Sequence, residues 1–211
     1  MSWRHLLGGA LGLVGALVLA KWSRLIINEI QEHATVQRKT LFVQIACGIV
    51  TGVSTWNRSL SDSIVFCVVA ALLVVQLPID LSIRRLARAP TFLAVPVILT
   101  AIVLDSRGAE TSHQLVQSLV VASLITVTFG AIHYVKPTSL GLGDVFLAVP
   151  LVLSIASQSV TAVAVWLLCA SCSGSLHGVF LRWRKSGNYL PFGPHMLFAA
   201  WALIYSASRL T

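Results

Sequence analysis

Residues 145–181 read VFLAVPLVLSIASQSVTAVAVWLLCASCSGSLHGVFL, 37 residues without one Asp, Glu, Lys or Arg. As a single helix this stretch would be about 55 Å long, against a hydrocarbon core of about 30 Å. It therefore predicts two helices folded back on each other, with Ser157-Gln158-Ser159 as the corner. Working outward, apolar runs recur at about residues 5–20, 41–56, 63–79, 90–104, 114–132, 145–157, 160–181 and 192–207. At roughly 20 residues per crossing, eight such runs leave about 50 residues for every loop and tail. The expectation is an all-α, polytopic membrane helix bundle of about eight transmembrane helices, a single integral-membrane domain over 1–211. Composition agrees, with 56% hydrophobic residues, 10% charged and a mean hydropathy of +0.85. A soluble domain carries about 25% charged residues, so soluble, disordered and disulfide-scaffold classes are excluded.

The net charge of +8 raises nucleic acid as a partner, but the positions of the cations point elsewhere. Eight crossings divide the ends and loops into two sets. Segments 21–40, 80–89, 133–144 and 182–191 hold eleven of the fifteen Lys and Arg; Arg4, Arg58, Arg107 and Arg209 make up the other set. That asymmetry in short loops makes the first set cytoplasmic and puts both termini outside. The first run imitates a secretory signal, with Arg4 before it and Val18-Leu19-Ala20 after. Cleavage there would invert every later span and contradict the charge bias. The basicity is thus topological, and no nucleic acid is expected.

Cys47, Cys67, Cys169 and Cys172 all lie in apolar runs, where cysteine serves as a small hydrophobe. Cys169 and Cys172 form a CxxC without a second ligand pair, so packing is preferred to a metal site. Gly8 and Gly12, Gly48 and Gly52, and Gly174 and Gly178 have the four-residue spacing that lets helices approach closely.

Only seven acidic residues occur, and two stand at the ends of apolar runs. Asp80 ends the third run in Leu77-Pro78-Ile79-Asp80, and Asp144 opens the sixth in Gly141-Leu142-Gly143-Asp144-Val145. Two crossings separate them, so both carboxylates belong to the same face, which the cation count makes cytoplasmic. Intramembrane acids are costly and mark function by default. Plainer readings stand beside that one. Asp144 is a good helix cap, and Asp80 is balanced by Arg84 one turn on. Gly141 and Gly143 lack a Cβ, which permits close approach of the helix ends and a positive φ at the corner. Pro191-Phe192-Gly193-Pro194 opens the last run on the same face. Its prolines predict an extended segment whose carbonyls are free to hold a substrate backbone. The plainer reading is a helix start with two prolines.

Together these motifs resemble the type IV prepilin peptidases, a branch of the GxGD intramembrane aspartic proteases. Asp80-Leu81-Ser82-Ile83-Arg84-Arg85, Gly141-Leu142-Gly143-Asp144-Val145 and Leu190-Pro191-Phe192-Gly193-Pro194 carry the match, in the family's order. The resemblance implies a multi-pass enzyme of the bacterial cytoplasmic membrane. Its substrates would be prepilins or pseudopilins of type IV pilus and protein-secretion systems, which have a short basic leader and an apolar helix. Asp80 and Asp144 would be the catalytic pair. Two positions depart from the family pattern: Arg85-Leu86-Ala87-Arg88 replaces a Pro-Asn or Pro-Asp continuation, and Phe146 replaces a lysine. Segment 21–40 lacks the paired cysteines of the larger members, so no N-methyltransferase activity is expected.

Such a pair hydrolyses a peptide with water and shares one proton between two carboxyls. It requires no metal or organic cofactor. The helix N-terminus at Asp144 favours the base there, and the helix C-terminus at Asp80 favours the proton-bearing acid. Glu29 and Glu32, in the basic first loop, face a choice between attracting leader cations and simply being solvated. Two other classes remain. A proton-coupled transporter or channel would use the same aspartates but needs a polar path, for which Gln44 and Gln117 are the main mid-run groups. A non-catalytic pilus or secretion assembly subunit would keep the fold without needing the pair.

Overall fold

The structure is a computed structural model that describes residues 14, 17–19, 21, 34–55, 58–83, 86–104, 109–137, 140–183 and 192–207. Described residues are helical or in turns, with no strand among them. Seven helices have defined bounds: α1 Ala34–Ser54, α2 Leu60–Ile83, α3 Arg88–Leu104, α4 Ala109–Val135, α5 Leu142–Ala156, α6 Val160–Trp183 and α7 Gly193–Ala207. Residues 14, 17–19 and 21 are also helical, and the rest of the first expected run lies outside the described residues. The corner at Ser157-Gln158-Ser159 falls where the 37-residue stretch requires it, with Ser159 N–H bonding the Ile155 carbonyl at 3.0 Å.

Most helices outrun the apolar stretches that predict them. α1 begins at Ala34, so Arg38 and Lys39 lie on a helix rather than in a loop. α5 begins at Leu142, which brings Asp144 into its first turn. Apolar runs end where polar side chains begin, whereas the backbone goes on closing i to i−4 bonds through them. Three helices are long and apolar enough to cross a membrane: α2, α4 and α6. α1 has a shorter apolar portion, and α3 and α5 have 17 and 15 residues. At 1.5 Å per residue α5 is only about 22 Å long.

Burial explains how a short apolar helix is tolerated. α5 is enclosed almost on all sides, with Leu147, Ala148, Leu151, Val152, Leu153 and Ile155 buried. It packs against α2, α3, α4, α6 and α7. α2 is the other central helix, with Phe66, Val69, Leu72, Leu73 and Ile79 buried. α4 instead turns Val116, Val120, Leu124 and Val127 outward. An apolar stripe of that length suits a lipid surface and not water. Cys67, Cys169 and Cys172 are exposed as well; of the four thiols only Cys47 packs in the core.

Apolar burial provides little drive between helices in lipid, so interhelical hydrogen bonds matter more there. Pro78 lies inside α2 and has no N–H for the Val74 carbonyl. Gln44 of α1 supplies the missing donor, its Nε2 reaching Val74 O at 2.6 Å. Trp166 Nε1 of α6 bonds Met196 O of α7 at 2.9 Å, and Trp201 Nε1 bonds Thr51 Oγ1 of α1 at 3.0 Å. At the opposite end from the aspartates, Arg58 lies 4.2 Å over the Phe66 ring and donates to Ile204 O at 2.8 Å. This cation satisfies a carbonyl near the C-terminus of α7, where positive charge is favoured.

Candidate active site

The last turn of α2, the first turns of α3, α5 and α7 and the last turn of α4 meet at one end of the bundle. Asp80 and Asp144 both lie there, 4% and 7% exposed, joined by a chain of contacts that runs from Asp80 through Gly193 and Leu86 to Gly143. They come together because two helices, α3 and α4, run out and back between them in sequence. Arg88 opens α3, Lys136 follows α4 and Arg182 lies in the last turn of α6, all at this same end.

Asp144 is held by its own helix start. Gly141 is the N-cap, and its N–H donates to Asp144 Oδ2 at 3.3 Å. Asp144 is therefore not the N-cap of the plainer reading; it stands at the third position of α5 and accepts from the N–H of the N-cap glycine. Gly141 has φ −70° and ψ 144°, so the positive φ expected at this corner does not occur. His133, in the last turn of α4, secures the approach by donating from Nδ1 to Leu140 O at 2.8 Å.

Asp80 has different surroundings. Its Oδ2 is buried and makes no hydrogen bond among the described residues. Gly193 lies against it: a Cβ there would come within 3.1 Å of Asp80 Oδ2. The glycine that makes room for the Asp80 carboxylate thus belongs to the Phe192-Gly193-Pro194 segment. A Cβ on Gly143 would instead meet Leu86 Cβ at 3.1 Å, and one on Gly141 would meet Asp144 Oδ2 at 3.3 Å.

The extended segment expected at 191–194 is only partly found. α7 starts at Gly193, and the Phe192 carbonyl accepts from His195 N (3.1 Å) and Met196 N (3.2 Å). That carbonyl is committed to the helix and is not free for a substrate strand. Pro194 sits in the first helical turn, where its missing N–H costs nothing. Pro191 and Arg84 lie outside the described residues, as do Glu29 and Glu32.

Gln76, to which the sequence alone assigns no more than a polar place near the end of its run, has a defined role. It is fully buried one turn before Asp80, and it grips the returning chain at Ala87. Gln76 Oε1 accepts from Ala87 N at 2.8 Å, and Nε2 donates to Ala87 O at 2.6 Å and to Thr91 Oγ1 at 2.9 Å. The clamp sets Leu86 beside Gly143 and Gly193. A buried glutamine four residues before a span-end acid was the available signal, but its partner became visible only once the hairpin had closed. Phe146, at the position of the family lysine, packs on Phe92 of α3 with ring centroids 5.3 Å apart.

Among the described residues no group of three or more His, Cys, Asp or Glu side chains is placed to hold a metal ion. His177 and His195 join α6 to α7 through a 3.0 Å Nδ1 to Nε2 contact near this end. A scan against protein-family models, a search of curated proteins and a search of solved structures each find no match to this chain.

Proposed function

We propose that this chain is an intramembrane aspartic endopeptidase that removes the short basic leader of prepilin-like or pseudopilin-like precursors at the cytoplasmic face of a bacterial cell membrane. One observation carries the reading. Three motifs far apart in sequence converge, so that buried Asp80 and Asp144 lie at one end of the bundle, with Gly193 packed on the Asp80 carboxyl and Leu86 packed between Gly193 and Gly143. The proposal includes eight crossings with both termini outside, which sets Arg88, Lys136 and Arg182 on the cytoplasmic side.

In the proposed mechanism Asp144 is the base, since its Oδ2 already accepts from an N–H at a helix N-terminus. Asp80, whose Oδ2 has no donor among the described residues, carries the shared proton. Asp144 removes a proton from water as the oxygen attacks the scissile carbonyl carbon, and Asp80 gives its proton to the carbonyl oxygen. When the tetrahedral diol collapses, Asp144 returns its proton to the leaving nitrogen and Asp80 regains one from the hydroxyl. Neither step calls on a metal or organic cofactor. The substrate's apolar helix would lie in lipid against the bundle while its basic leader stays in the cytosol.

The transporter alternative fares less well on the described residues. Gln44 is used by Val74 O, and Gln117 faces outward. Between Asp80 and the far end the described core is mainly apolar, with Val69, Leu72, Leu73, Leu151 and Val152, and its buried Ser118 and Ser154 hydroxyls are bonded to carbonyls of their own helices. The test is incubation of the purified protein in detergent with a peptide made of a basic leader and an apolar helix. A single cut at the leader–helix junction, located by mass spectrometry, is expected. An intact peptide would contradict the reading and favour an assembly subunit.

A further inference from the structure

The Leu86 side chain occupies a narrow place. It is half-buried and lies between two glycines from different helices, Gly143 of α5 and Gly193 of α7. A Cβ on Gly143 would meet Leu86 Cβ at 3.1 Å and Cδ1 at 3.3 Å, and one on Gly193 would meet both of its δ carbons at 3.2 Å. The same point on Gly193 lies 3.1 Å from Asp80 Oδ2. One leucine side chain therefore fills the gap between the two glycines, next to a buried carboxyl oxygen that has no hydrogen-bond partner among the described residues. Gln76 holds the chain at Ala87 so that residue 86 points into this gap.

We propose that Leu86 covers the aspartate pair at rest and that the slot it fills receives an apolar substrate side chain beside the scissile bond, making Leu86 a specificity-determining residue. The inference rests on the peptidase reading. A substrate side chain reaches Asp80 by pushing Leu86 aside, and the displaced leucine stays at the mouth of the slot and limits its width, so the slot admits aliphatic side chains up to leucine size and excludes charged or larger ones. The two glycines form its walls, and any Cβ there would narrow it.

The full-length protein in detergent allows two measurements. The first is the rate at which dicyclohexylcarbodiimide, an apolar carboxyl reagent, modifies Asp80 in the wild type, Leu86→Ala and the milder Leu86→Val. The second is cleavage of peptides carrying Ala, Leu, Phe or Trp next to the scissile bond. Modification of Asp80 is expected to be several-fold faster in Leu86→Ala and intermediate in Leu86→Val. The preference of Leu86→Ala should move toward Phe by roughly tenfold relative to the wild type, in line with the cost of pocket-size changes. Cleavage by the wild type with labelling and preference unchanged in both variants would overturn the role of Leu86 and leave the peptidase reading standing. Faster labelling in a protein that cuts no peptide would sink the peptidase reading, and with it the specificity role, while keeping Leu86 as the cover.

Discussion

Gly193 and Asp80 are in contact across the bundle, with any Cβ at position 193 falling 3.1 Å from the Asp80 carboxyl oxygen. That contact ties the start of α7 to the end of α2, and it makes the smallness of residue 193 a requirement of the site.

Gly193→Ala should therefore displace either Asp80 or Leu86. Overpacking of this kind costs about 1–3 kcal/mol, and peptide cleavage should fall well beyond what that loss of stability explains. Gly130→Ala is the control, since nothing lies within 4 Å of the added carbon at this position in the C-terminal part of α4. It should be neutral or stabilise by up to about 1 kcal/mol, the helix preference of alanine over glycine. Unfolding in mixed micelles, followed by circular dichroism beside a cleavage assay, checks both.

Gln44 and Pro78 form a compensating pair. Gln44→Leu should destabilise by about 1–3 kcal/mol, because the Val74 carbonyl then has no donor. Pro78→Ala restores an N–H within α2, so the double variant should recover most of that loss. A double-mutant cycle reads the coupling directly, and additive losses would contradict the assignment.

Gln76→Leu keeps the side-chain size and removes the clamp on Ala87. The expected cost is roughly 2–4 kcal/mol for backbone groups left unpaired in a buried place. Because Leu86 then loses its anchor, carbodiimide modification of Asp80 should also speed up. Gln76→Glu offers no comparable rescue, since a carboxylate cannot donate to Ala87 O.

Much of the arrangement was legible before folding. The fold-back at Ser157-Gln158-Ser159 followed from length alone, and the shared face of Asp80 and Asp144 followed from counting crossings. What failed were inferences from isolated residue types. Gly141 suggested a positive φ, yet its backbone is extended. The prolines around Phe192 suggested free carbonyls, yet the Phe192 carbonyl begins α7. Gln76 and Leu86 were out of reach because their roles arise from a hairpin that returns to α2 after a short turn. Burial within the bundle, and not hydropathy, explains why α5 is as short as 15 residues.

The most direct test of the central claim is single-turnover cleavage of the leader peptide by the wild type, Asp80→Asn and Asp144→Asn, each verified as folded. Both variants should lose roughly a hundredfold or more in rate, the usual weight of a positioned acid or base. Full activity in either variant would contradict the account.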